Sequence, residues 1–434
     1  MDGTRSVLTL VYTFYGLSFL PSSSMGLHKQ TVALALGIVF GFFLSRLLPS
    51  SSSTSTLSNT TWRGAHLPSK SHRQQSRKAI QTPTLEQRAR ILELLTTLTP
   101  HYTRECTKTE NIQPLYAMQA VERYAPLVGH PWLSSSSSGQ SQNPLYANPF
   151  SGAKSKKAEL LADGHKYFFA INLYNSFDVI PDLFATLFRT AAILGYQNVF
   201  VSIYENGSSD QTKALLRIFD ALTRSVGMRV MIRTSMRTRG AFNHRIEYLA
   251  EVRNSAFVPL HELRENDGET FDSIVFMNDI LPCVDDLLEL IYQSRLNNAG
   301  ITCAADYMYH EEIASPVFYD NWVARDINGT ALENAPFERI FHHPISSSRF
   351  QRHLPVQVQS CWNGIAVLDP APFYEKNVRF RMAKIMDGEC SASECSLICN
   401  DYWAAGYGRI MMVPRVKLAY DSVRFLLLHN LLPC

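Results

Sequence analysis

From residue 167 onward the hydrophobic pattern switches, at short intervals, between continuous apolar runs of strand length and longer stretches of helical period. YFFAINL (167–173), NVFVSIYE (198–205), MRVMIRT (228–234) and FDSIVFM (271–277) are each bounded by turn-forming residues, as buried strands are. Between them lie DVIPDLFATLFRTAAILG (178–195), QTKALLRIFDALTRSVG (211–227) and AFNHRIEYLAEVRNSAF (241–257), and DDLLELIYQSRLNN (285–298) follows the fourth run. Units of β and α alternating at this spacing predict an α/β fold: a Rossmann-type, mostly parallel sheet flanked by helices. Further on, VQSCWNGIAVLDP (358–370) reads as a strand entered through a turn at 362–364.

Before residue 160 the texture is different. TVALALGIVFGFFLSRLL (31–48) carries a single charge, Arg46, near its end. At about 1.5 Å per residue such a run nearly crosses a hydrocarbon layer of roughly 30 Å, which predicts a transmembrane anchor. The division expected is a tail at 1–30 with its own apolar run at 7–20, an anchor at 31–48, a stem at 49–160 and an α/β domain at 161–434. Within the stem, Thr84 and Gln87 stand in capping-box register at the start of a short helix over 84–99. Arg5 and Lys29 precede the anchor while Arg46 and Arg63 follow it, so charge does not decide the orientation.

Composition narrows the classes. The chain is 46% hydrophobic and 18% charged, enough for a sizeable core and too apolar for a disordered protein. The net charge of +3 is concentrated in the first 110 residues, leaving 29 basic against 33 acidic residues beyond them. No nucleic-acid footprint is visible, and no nucleic-acid partner is expected. Eight cysteines include no C-x-x-C pair, which weakens a zinc reading. Cys390, Cys395 and Cys399 cluster within ten residues, which suggests a bridge in an oxidising compartment and buried thiols in the cytosol.

In open α/β sheets ligands gather at the carboxyl ends of strands, so the polar residues after each apolar run are the candidates for chemistry. The first run ends at Asn172 and Asn175, the second at Glu205 followed by Asn206-Gly-Ser-Ser-Asp210, which is also ordinary turn chemistry. The fourth ends in Asn278-Asp279, where a carboxylate could hold a hard divalent cation or simply cap the next turn. Arg253 sits on the helical stretch before it. Near the C-terminus Asp387, Glu389, Glu394 and Asp401 are interleaved with Trp403, and Trp362 lies upstream; acids beside indoles suit a sugar site, while a helix with surface acids would look the same. No G-x-G-x-x-G follows the first strand, which argues against a nucleotide-linked oxidoreductase.

Taken together, FFAINLYNSFDVIPDL, VSIYENGSSDQT, EVRN, FMNDI, SCWNGIAVLD and SECSLICNDYW resemble the fungal capsule-associated α-1,3-mannosyltransferases of the cryptococcal type, over about 167–420. The resemblance implies a GT-A-like fold, GDP-mannose as donor, a mannose-containing glycan as acceptor, and a divalent metal, Mn2+ or Mg2+. It also implies a type II membrane protein with its catalytic domain in the Golgi lumen. Carried over, Asn172, Glu205, Asn206, Asp210, Arg253 and Asn278 are donor contacts, and Asp279 is the counterpart of the metal-binding acid. That pattern usually has two acids; here a second ligand would come from elsewhere, such as Asp401 or His429. Glu394 and Asp401 are the catalytic candidates, with Glu394 near the anomeric carbon, and Trp362 and Trp403 the acceptor platforms. An α-linked donor giving an α-linked product implies retention of configuration. Other sugar-nucleotide donors, or a non-catalytic role in polysaccharide assembly, are the alternatives. Sequons stand at Asn59, Asn206 and Asn328, and a glycan on Asn206 would obstruct the donor loop.

Overall fold

The strands β1 (Tyr167–Leu173), β2 (Val199–Asn206), β3 (Arg229–Ser235) and β4 (Ser273–Met277) form the parallel half of one sheet, in the order β3-β2-β1-β4. The computed structural model describes Tyr124, Leu127 and residues 165–240 and 244–420. β1 and β4 have no polar face because helices cover both sides of the sheet there, which is why their sequences read as unbroken apolar runs.

The connecting helices are α1 (Ile180–Leu194), α2 (Thr212–Ser225) and α3 (Arg245–Asp267). α1 starts at a proline in its first turn and is buried along nearly its whole length. α2 buries only the stripe of Thr212, Leu216, Phe219, Leu222 and Thr223, the spacing of an amphipathic helix against a sheet. α3 runs ten residues beyond the predicted 241–257 segment, through Pro259, because Phe257 and Leu260 continue its buried stripe and packing overrides the local preference. It ends where Gly268 takes a left-handed φ of 65°, with Gly268 N–H donating to Arg264 O and Glu269 N–H to Leu263 O.

Beyond β4 the chain forms α4 (Val284–Asn297), β5 (Ile301–His310), β6 (Ser315–Phe318), α5 (Pro344–Gln351) and β7 (Val356–Gln357). It continues through β8 (Ile365–Leu368), α6 (Ala371–Glu375), α7 (Glu394–Ala404) and β9 (Ile410–Leu418). The sheet reads β3-β2-β1-β4-β8-β5-β9-β7, with β6 added to β5. It is mixed, not mostly parallel as expected. β8 pairs antiparallel with both β4 and β5, and only β9 runs parallel to β5. Two reversals restore direction, so β4, β5 and β9 all point their carboxyl ends at the edge where β1 and β2 end, and β8 begins there. The strand predicted over 358–370 shortens to four residues because its first half is irregular chain that feeds this edge.

The core is aromatic: Phe168, Phe200, Phe257, Phe276, Phe373 and Phe380 pack beneath α3 with Trp362. Cys303 of β5 is bonded to Cys361, 58 residues on, just before β8. Of the two readings of the Cys390, Cys395 and Cys399 cluster, the bridge does not occur: all three are free thiols, Cys395 and Cys399 buried on α7 and Cys390 exposed. Closing a loop of this length removes about 4 kcal/mol of unfolded-chain entropy. Cys303→Ser with Cys361→Ser is expected to lower the thermal midpoint by roughly 8 to 16 °C, read by melting against the wild type; an unchanged midpoint would refute the staple. The 31–48 anchor, the 84–99 helix and His429 lie outside the described residues. Among the described residues no helix is long and apolar enough to cross a membrane.

Candidate functional site

Two loops rise from the ends of β1 and β2, and they are stitched together. Asn175 N–H donates to Ser208 Oγ at 2.9 Å, Ser176 N–H to Thr212 Oγ1 at 2.9 Å and Phe177 N–H to Asp210 Oδ2 at 3.1 Å. In return Ser209 N–H donates to Asn175 Oδ1 at 2.8 Å. The crossing requires left-handed backbone at Asn175 (φ 49°) and Gly207 (φ 90°), which Asn and Gly tolerate best.

Asp210 is a structural clamp: its other oxygen accepts from Thr212 N–H at 2.9 Å, at the start of α2. Asn206 is also turned inward, 9% exposed, with its amide donating to Tyr248 Oη at 3.2 Å. Both were expected to contact a donor; instead they shape the loop that would do so. A glycan on buried Asn206 is excluded in the folded chain, whereas Asn328 lies exposed in a turn.

Glu205 is fully buried at the end of β2. One of its carboxylate oxygens accepts from Ser208 N–H, and the other, 3.7 Å from Lys213 Nζ, has no hydrogen-bond partner among the described residues. Asn172 is half in the same condition: its amide donates to Val252 O at 3.0 Å while its Oδ1 is buried without a partner. Two acceptors without a hydrogen bond at adjacent strand ends, one of them ion-paired to Lys213, are what a ligand rich in N–H or O–H donors would satisfy.

The chemical centre lies at the end of β4. Arg253 reaches across from α3, donating from Nε to Glu394 Oε1 at 2.9 Å and from Nη1 to Asn278 Oδ1 at 3.0 Å. Its guanidinium stands 5.0 Å from the Phe276 and Trp362 ring centres and 5.8 Å from that of Phe380. A planar cation held by two hydrogen bonds beside three rings is rigid and always charged.

Asp279 follows Asn278, half-buried. Burial pushes its carboxyl up to about 6, opposed by its own backbone N–H and by the Arg253 charge. It forms no ion pair among the described residues. Such a group supplies the hard oxygen a Mg2+ or Mn2+ ion selects, and a cation would return it to its ionised form. The donor chemistry therefore fits. Among the described residues no group of three or more acid, His or Cys side chains forms a metal cage, so further oxygens would have to come from the cation's ligand and water.

Several expectations are corrected here. Trp362 is 1% exposed, packed against Phe276 and Phe380, so it supports Arg253 from within the core and offers no acceptor platform. Asp401 meets Arg381 through both oxygens, at 2.9 and 2.8 Å, and Arg381 also holds Glu389. That ion network orders the segment before α7; it keeps Asp401 away from the Arg253 centre. Glu394 does join the centre, but with its side chain only 2% exposed it is the counter-charge of Arg253 and has no opening toward an anomeric carbon. Trp403 is 39% exposed, its indole N–H donating to Gln359 O at 2.9 Å, close to a shallow cavity of about 430 Å³ lined by Gln359, Ser396 and Asn400.

Sequence reasoning missed a buried carboxylate. Asp306, within β5, accepts from Asn363 Nδ2 at 2.6 Å, Tyr420 Oη at 2.8 Å and Asp320 N–H at 3.2 Å. It thereby fixes the start of β8, the chain after β9 and the loop after β6 to one point. The available signal was a lone acid in the apolar run ITCAADYMYH. The loop it fixes carries Asp320, whose carboxyl is pushed up to about 6 by burial and by Asp306.

The profile of the family described as Cryptococcal mannosyltransferase 1 matches residues 166–401, more than half of the chain. The alpha-1,3-mannosyltransferase CMT1 of Cryptococcus neoformans is 38% identical over 260 residues, 56% of this chain and 55% of that protein. The chain thus spans about half the length of that curated relative. Among solved structures, the mannosyltransferase PcManGT from Pyrobaculum calidifontis in complex with GDP-Man and Mn2+ is 12% identical, with a TM-score of 0.36, covering 61% of each chain. GalNAc-T7 with UDP, GalNAc and Mn2+ is likewise 12% identical, with a TM-score of 0.36, over 59% of this chain and 43% of that one.

Proposed function

The chain belongs to the cryptococcal mannosyltransferase 1 family, and on that premise we propose that it is a membrane-anchored, retaining glycosyltransferase of GT-A-like layout, moving mannose from GDP-mannose to a mannoside in α-1,3 linkage. What carries the reading is the meeting of Arg253, Asn278 and Glu394 beside Asp279 at one strand end, inside the family-matched segment. Each group then has a task. The nucleoside lies over the β1 and β2 ends, where Asn172 Oδ1 and the Glu205 carboxylate, ion-paired to Lys213 but with one oxygen free of hydrogen bonds among the described residues, offer acceptors for its N–H and O–H groups. Arg253 faces the diphosphate, a fixed positive charge aimed where negative charge grows as the glycosidic bond breaks. Asp279 would hold the divalent cation, which when bound neutralises the leaving diphosphate. Glu394 and the aromatic box keep the guanidinium from moving, so stabilisation requires no rearrangement.

The 31–48 anchor and a lumenal catalytic domain in the Golgi complete the proposal. The Cys303–Cys361 bond is consistent with an oxidising compartment for this unit, while Cys390, Cys395 and Cys399 are free thiols, so not every neighbouring pair is closed.

The test uses the full-length chain in detergent, incubated with a panel of sugar nucleotides and α-mannobiose, with Mn2+ and then with EDTA. Product mass and released nucleotide are read together. Transfer of one hexose from GDP-mannose, lost in EDTA, is the expected result. Transfer from another donor alone would replace the donor assignment, and a folded protein that binds no nucleotide would overturn the enzyme reading.

A further inference from the structure

The loop after β6 carries two large aromatic side chains into solvent, Tyr319 at 46% and Trp322 at 45% exposed. This loop is tightly held. Tyr319 N–H donates to Asp306 O at 3.0 Å, Asp320 N–H to Asp306 Oδ1 at 3.2 Å, and the Asn334 amide to Phe318 O at 2.8 Å and Tyr319 O at 2.7 Å. The Tyr319 ring meets the Tyr420 ring edge-on at 5.7 Å, and the Arg245 guanidinium stands 5.9 Å from the Trp322 ring. Between the two aromatics lies Asp320, its carboxyl pushed up by burial and by the neighbouring Asp306 charge. The Asp306 carboxylate that holds this loop also accepts from Asn363 Nδ2 at 2.6 Å, and Gly364 O, next in the chain, accepts from Asn278 N–H at 3.0 Å, so the loop is a neighbour of the chemical centre.

Its side of that centre is settled by the sheet order. β1 and β2 lie on one side of β4, and β8 and β5, which lead to the loop, on the other. A donor spread over the β1 and β2 ends leaves the loop side for the second substrate.

We propose that the Tyr319–Trp322 loop is the acceptor subsite, where a pyranoside lays its apolar face on the Trp322 indole, with Tyr319 as side wall and Asp320 accepting its hydroxyl hydrogen bonds. A ring sugar has one C–H face and a girdle of O–H donors, and a rigid aromatic beside a carboxylate complements both. This rests on the glycosyltransferase reading above and replaces Trp362, which the core encloses.

The experiment separates the two. Full-length wild type, Trp322→Ala, Trp322→Phe and Tyr319→Ala are compared for binding of α-1,3-mannobiose, followed by saturation-transfer NMR with and without GDP, and for transfer kinetics. Mannobiose binding by wild type that weakens about tenfold in Trp322→Ala and returns in Trp322→Phe is expected. The acceptor KM should rise by the same factor, with the KM for the sugar nucleotide and the melting temperature unchanged. Binding with this pattern supports the subsite even if GDP-mannose proves not to be the donor. Wild type that transfers mannose while Trp322→Ala keeps its acceptor KM overturns the subsite and leaves the enzyme reading standing. Weakened GDP binding in Trp322→Ala would make the loop a nucleotide contact and overturn the subsite, as would wild type that binds no mannobiose.

Discussion

Arg253→Ala is expected to abolish transfer and to destabilise the domain together. The guanidinium is the only charge facing Glu394 Oε1 among the described ion pairs, and removing it leaves a buried carboxylate uncompensated. Breaking a buried pair from one side typically costs about 3 to 5 kcal/mol. For a domain of this size that lowers the melting midpoint by roughly 10 °C. Turnover should fall at least about a hundredfold, since a fixed donor at developing charge is worth about that much. Arg253→Lys separates the two effects. Its ammonium keeps the charge, so most of the stability should survive, but it cannot serve Glu394 and Asn278 with one planar fork, so turnover should stay low. Turnover near wild type in Arg253→Lys would show that only charge matters; turnover near wild type in a folded Arg253→Ala would remove Arg253 from the mechanism. Glu394→Gln leaves a hydrogen-bond acceptor in place and should reduce stability and turnover in proportion, as expected of a positioning residue.

Asp279→Asn should give the opposite combination: a folded protein with turnover down by about a hundredfold or more. Burial raises the Asp279 carboxyl to about 6, above the ordinary carboxylate value. Folding therefore favours the protonated form, and the stability this gives is present below the unfolded pKa and is lost as pH rises through about 6. At pH 7.5 the ionised group works against the fold, so its neutral isostere should melt at the same temperature or higher. In the wild type, activity that needs the carboxylate should rise with pH through about 6, unless bound cation pulls the transition lower. Melting curves and pH–rate profiles with and without Mn2+ test this; a marked drop in the midpoint of Asp279→Asn would mean that the residue holds the turn and not a ligand.

Much of this arrangement was written locally. The four apolar runs of the parallel half, the amphipathic α2 and the turn residues after β2 and β4 follow from short-range patterning, because burial on both faces or on one stripe leaves a periodic record in the chain. Strand ends could likewise be read as sites, which pointed to Asn278 and Asp279, whereas Arg253 on its helical stretch and Glu394 among the C-terminal acids drew their roles from the family resemblance. Local reading could not tell which of these would meet. Glu394 and Asp401 are seven residues apart on one helix, yet one pairs with Arg253 in the core and the other with Arg381 nearer the surface. Trp362 and Trp322 have the same chemistry, yet only one of them is exposed. Such choices depend on groups far apart in sequence. The two reversals of β8 align β4 with β5, and the Asp306 carboxylate gathers Asp320, Asn363 and Tyr420 from three separate segments. Periodicity records which face of an element is buried; what that face is buried against is fixed only when the sheet closes around it, and the pairing of charges and the exposure of rings are decided there.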